Sequence, residues 1–196
     1  MKWVFVAILA CIVPYTVLTL KYRKAAPAYQ PYEDSKQRAN VLRLLDAGYQ
    51  RITVKAERPS DPEELVRTLN TQAEILTVAG GLPEDLNATL VETPLLPADF
   101  SRVAAPKETA SLLPYPVVFT CRLEDQKHQP GGAQVFIRGE QIIIVPSFEP
   151  LDRDLTARSK ENPVAITLPA GSLKAGNYTV TLTGTAQSRQ WTLTVR

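Results

Sequence analysis

Hydrophobic positions along this chain fall into three regimes. Residues 3–20, WVFVAILACIVPYTVLTL, are uncharged throughout and have no polar face. Residues 33–105 mix stripes at helical spacing with short alternating runs. The last part of the chain alternates hydrophobic and polar positions with period two, the mark of half-buried strands.

The first regime predicts a helix. Eighteen residues at ~1.5 Å rise span about 27 Å, close to the ~30 Å of a bilayer core. Lys2 precedes the run, and Lys21, Tyr22, Arg23 and Lys24 follow it. Trp3 and Tyr22 suit a membrane interface, with the basic flank facing lipid headgroups. Pro14 is a kink that a membrane helix tolerates. A cleaved signal peptide is the competing reading. The apolar run is long for one, and the first small-x-small site, Ala26-Pro27-Ala28, lies beyond the basic flank. A lipoprotein reading of Ile8-Leu9-Ala10-Cys11 fails because the apolar run continues past Cys11. The expectation is an uncleaved single-pass anchor over residues 1–24. Basic residues after the run favour a cytoplasmic C-terminal part; the export-like start and the character of the C-terminal part favour the other side. A bacterial inner membrane protein with a periplasmic extrinsic domain is the resulting expectation.

A proline-stiffened linker over 25–32 leads to a small α/β unit over 33–105. Its first helix, 34–47, has Arg38, Val41, Leu42 and Leu45 on one face and Gly48 as a stop. Residues 50–57 alternate as a strand. Asp61-Pro62-Glu63-Glu64 starts a second helix, with Asp61 at the N-cap, Pro62 at N1 and Glu64 at N3. Its stripe, Leu65, Leu69, Ala73 and Leu76, runs to Gly80-Gly81. Residues 86–92 suggest a short strand, and 94–116, punctuated by prolines, suggest a surface crossing without regular structure.

Residues 106–196 predict an all-β sandwich. Residues 116–123 form one strand, and 133–137 and 142–145 form a hairpin about Gly139. Val164, Ile166 and Leu168, then Tyr178, Val180 and Leu182, then Trp191, Leu193 and Val195, alternate with smaller or polar residues, several of them threonines. Leu173, Gly176 and Tyr178 fit a corner in which a Tyr hydroxyl bonds back to the preceding turn. With the closing WTLTVR, this stretch (163–196) resembles the terminal strands of bacterial immunoglobulin-like modules, found in membrane-anchored proteins including anti-sigma-factor-like regulators. The chain lacks the zinc-binding Cys/His segment of those regulators. The resemblance implies an immunoglobulin-like β-sandwich and a membrane setting, and transfers no activity.

Charge refines this picture. Of 196 residues, 22 are basic and 20 acidic, but four basic residues and no acidic ones lie in 1–24. The remainder holds 18 basic and 20 acidic residues, which argues against nucleic acid as a partner, since phosphate contacts need clustered Lys and Arg.

Candidate chemistry is sparse. His128 sits in the polar run 124–132, read as a loop, and nothing in the sequence places a carboxylate or nucleophile beside it. Cys121 in its strand reads as a buried structural thiol, and its only possible partner, Cys11, lies in the apolar segment. Glu149, Asp152 and Asp154 flank Arg153 and read as a solvated turn with an ion pair; no metal and no cofactor is expected. Gly80-Gly81 and Gly131-Gly132 are not phosphate cradles. The Asn87 and Asn177 glycosylation patterns are read as chance. The run Ile142-Ile143-Ile144-Val145 is either buried on both faces or presents one face to a partner.

The leading expectation is therefore a non-enzymatic accessory or scaffold subunit of a larger membrane complex, such as a photosynthetic or respiratory one. Its partners would be other membrane protein subunits and the lipid bilayer, with Ile142, Ile144 and Phe148 as protein contacts. The alternative is a membrane-anchored regulator or sensor whose sandwich binds a ligand or protein. An enzyme using Cys121, His128 or a carboxylate pair ranks third.

Overall fold

The computed structural model describes residues 2–22, 31–59, 61–69, 72–152 and 155–196. It divides into two units, Met1–Ser35 and Lys36–Arg196. Strands outweigh helices among the described residues, so the molecule is mostly β.

In the first unit, helix α1 (Lys2–Tyr22) forms from the uncharged run as expected. Yet no helix among the described residues is long and apolar enough to cross a membrane. This overturns the single-pass anchor and the inner-membrane location that rested on it. The physical reason lies in the composition of the run. About 27 Å of uncharged helix leaves no excess over a ~30 Å core. Pro14 removes one internal N–H, and Thr16 and Thr19 place hydroxyls in the second half. Those hydroxyls are spent on the helix itself, Thr16 on the Ile12 carbonyl (2.8 Å) and Thr19 on the Tyr15 carbonyl (2.7 Å). Trp3 and Lys21 are exposed on α1, and Tyr22 ends its backbone. Arg23 and Lys24 lie outside the described residues, as does nearly all of the expected linker. The five residues thus lose the bilayer interface assigned to them.

The second unit is a sandwich with helices on its outer faces. Helix α2 (Pro31–Asp46) runs into strand β1 (Gln50–Lys55), followed by helix α3 (Pro62–Thr68), strand β2 (Leu76–Ala79) and helix α4 (Glu84–Thr89). Strands β3 (Asp99–Ala104), β4 (Glu108–Thr109), β5 (Tyr115–Arg122) and β6 (His128–Arg138) come next. Strands β7 (Gln141–Pro150), β8 (Glu161–Leu168), β9 (Gly176–Leu182) and β10 (Gln187–Val195) complete the chain. The larger sheet has the order β1-β6-β7-β9-β10-β2, with β4 also pairing with β10; the smaller is β3-β5-β8.

This topology corrects the expected fold class. Residues 33–105 are not a self-contained α/β unit, because β1 pairs with β6, β2 with β10 and β3 with β5. Every strand of that region finds its partner in the C-terminal part. Nor is the sandwich wholly antiparallel, since β7 runs parallel to β9 and β4 parallel to β10. The sides are laced as well. Glu57 and Ala165 exchange backbone hydrogen bonds (2.8 and 2.9 Å), joining the chain after β1 to β8. On the other side, the Thr185 N–H donates to the Pro97 carbonyl (2.8 Å), tying the approach to β10 to the approach to β3.

Local differences have local causes. The second predicted helix stops at Thr68; Asp61 caps it through Glu63 N–H (2.9 Å) and Glu64 N–H (3.0 Å). Beyond it, Ile75, Thr77 and Val78 are β-branched and enter or form β2. The strand expected at 86–92 is instead α4, which has Glu84 and Asp85 in its first turn, where the helix dipole favours acids. The proline-punctuated stretch holds β3 and β4 between its prolines.

Three apolar clusters fill the layers. Between the sheets lie Trp191, Tyr115, Phe119, Ile142, Ile144, Val180 and Leu193, among others. Outside the larger sheet, Phe136, Ile143 and Val145 pack with Leu44 of α2, Tyr49 and Leu86 of α4. Outside the smaller sheet, Val118 and Ala165 pack with Val66 of α3. The tyrosine corner is present: the Tyr178 hydroxyl donates to the Lys174 carbonyl at 3.0 Å. Gly80 and Gly132 belong to this packing, since a Cβ on either would strike backbone, Thr185 and Ala186 for the first and Val54 for the second.

Candidate binding surfaces

The β-branched run on β7 is buried on both faces. Ile142 and Ile144 are 0% exposed in the inter-sheet core, and Ile143 and Val145 are covered by helices. Phe148 is half-buried against the core. Ile142 and Ile144 therefore cannot touch a partner, which corrects their reading as contact residues. The strand alternates correctly, but each face has its own cover.

His128 is not in a loop: it opens β6, opposite Pro150. The structure also gives it the carboxylate that the sequence did not place. His128 Nδ1 lies 3.0 Å from both Asp125 oxygens, and the hydrogen bond from His128 holds the Asp125 carboxyl below its usual range. Asp125 also accepts from the Lys127 N–H (3.1 Å), so this is a local turn closed by a side-chain pair. Thr93, Leu95, Leu96, Leu123 and Thr185 line a cavity of about 370 Å³ that reaches Asp125. Cys121 faces the core with 0% exposure, and burial pushes its thiol up to about 11. A neutral, enclosed thiol is a poor nucleophile. Glu149 and Asp152 form no metal-holding group among the described residues; Arg153 and Asp154 lie outside them.

Two features remain that face solvent. The first is helix α2. Leu44 is 1% exposed and docks the helix, whereas Val41, Leu42 and Leu45 are 38%, 61% and 62% exposed. At ~100° per residue, these four positions cover roughly 160° of the helix, more than the sheet beneath can hide. The sequence displays Val41, Leu42 and Leu45 as one stripe; it does not show that Leu44 alone is the buried side.

The second is a notch on the β10 edge. β2 pairs with Gln187–Gln190 and β4 with Thr194 and Val195, so, among the described residues, 191–193 have no strand partner on that side. The gap is framed by 72–76 and by Lys107, and encloses about 390 Å³. Its wall is assembled from four separate stretches of chain, 72–76, Lys107, Thr179 of β9 and 190–192 of β10, and only the fold brings them together.

A scan against protein-family models finds no matching family, and searches of curated proteins and of solved structures find no match.

Proposed function

We propose that this chain is a non-enzymatic scaffold subunit that works by binding another protein through the outer face of α2. The observation that carries the reading is the division of the α2 stripe. One apolar side chain anchors the helix to the sandwich, and three adjacent ones, Val41, Leu42 and Leu45, are offered to solvent. Amphipathic helices bind apolar grooves through such i, i+3/i+4 anchors. The sandwich beneath supplies rigidity: strands β6 and β7 are covered by α2 and α4 on one side and by the inter-sheet core on the other. The partner this surface fits is a protein with an apolar groove.

The test is purification of the chain from its native source beside a Leu42→Glu/Leu45→Glu form. The wild type is expected to carry a stoichiometric protein partner that the double variant loses, while both unfold at the same temperature. A wild-type chain that migrates alone, or a variant that keeps its partner, would overturn the reading.

A further inference from the structure

The notch at the β10 edge has the chemistry of a small-ligand site. Its backbone is the starting point. The N–H groups of Thr194 and Arg196 donate outward from β10, to the carbonyls of Lys107 (3.0 Å) and Thr109 (2.9 Å). Backbone groups alternate sides along an antiparallel strand, so those of Thr192 point the same way, into the gap between β2 and β4. The two stretches that frame the gap are tied to each other by the Ala73 N–H, which donates to the Ala105 carbonyl (2.8 Å). About 390 Å³ lies at the small end of ligand pockets.

Charge selects the ligand. Glu74 and Lys107 both line the notch, and among the described residues neither makes a salt bridge, with the other or with a third group. Gln72 and Gln190 add neutral donors and acceptors, and Leu76 supplies an apolar wall. A site that offers one anion, one cation and a strand edge is complementary to a molecule carrying both charges on a short frame. We infer that the notch binds a small zwitterion of the α-amino-acid class with an apolar side chain. The ligand ammonium meets Glu74, its carboxylate meets Lys107 and the Thr192 N–H, and its side chain lies along Leu76. This inference is independent of the α2 surface.

The test is titration of the full, isotope-labelled chain with L-valine, followed by proton–nitrogen correlation spectra. Isovalerate and isobutylamine serve as probes carrying one charge each. Valine is expected to shift the Thr192 and Lys107 amides saturably, and each single-charge probe to bind about tenfold or more weakly. Glu74→Gln should remove the advantage of valine over isovalerate, and Lys107→Met its advantage over isobutylamine. Both side chains are exposed, so neither substitution disturbs the core. Absence of a saturable shift at Thr192, or valine binding that both variants leave unchanged, would overturn the inference.

Discussion

Two buried tyrosines show what a single hydroxyl does in this core. The Trp191 Nε1–H donates to the Tyr115 hydroxyl (2.9 Å), which donates to the Pro106 carbonyl (2.9 Å). Tyr115→Phe would strand a buried donor and a buried acceptor, and is expected to cost about 1–3 kcal/mol in denaturant unfolding. Tyr49 is the reverse case. Its hydroxyl is buried with no hydrogen-bond partner among the described residues, while its ring lies under the Arg138 guanidinium at 4.5 Å. Tyr49→Phe keeps the ring and removes the orphan, so stability should hold or rise. A loss above about 1 kcal/mol would mean that the hydroxyl has a partner. The thiols give a pH-linked test. Burial raises the Cys121 pKa, so the fold favours the neutral form. That contribution is complete below the ordinary thiol value of 9.0 and fades as pH rises through about 11. At pH ~8 an alkylating reagent is expected to label exposed Cys11 alone in the native chain, and both thiols after unfolding.

At the scale of elements, legibility tracked how local the deciding interaction was. The Asp61 cap, the Gly139 hairpin and the tyrosine corner each close within a few residues, and each stands where the spacing predicts. Asp61→Ala should therefore lower stability by about 1 kcal/mol in chemical denaturation, since α3 covers Val118 and Ala165 through Val66. An unchanged midpoint would show that α3 contributes nothing to the cooperative fold. Elements set by distant partners were not legible. Residues 76–79 continue a helical stripe in sequence, but β10 offers them an edge and they become β2. Residues 86–92 look like a strand, yet Leu86 is needed as a helical plug beneath Phe136 and Ile143. Cover on the two faces of β7 likewise comes from distant chain, α2 and α4 over Ile143 and Val145 and the opposite sheet over Ile142 and Ile144, so the isoleucine run alone left its role open. The binding notch carried no sequence signal at all.

At the scale of the molecule, the stretch of the second unit up to Ala104 is structural to the sandwich. β1 extends one edge of the larger sheet, β2 the other, and β3 completes the smaller sheet. The sandwich, its outer helices and both candidate surfaces form one cooperative body over residues 36–196. This is the claim on which the functional readings stand, because the α2 face and the notch each need parts from both ends of it. The most direct measurement compares residues 36–196 with 106–196 by near-ultraviolet circular dichroism during thermal unfolding. The chain has two tryptophans, and beyond residue 35 only Trp191 remains to report on the inter-sheet core. Residues 36–196 are expected to lose the Trp191 signal in a single transition, and 106–196 to show no such signal at any temperature. A cooperative transition with a native Trp191 signal in 106–196 alone would contradict the account.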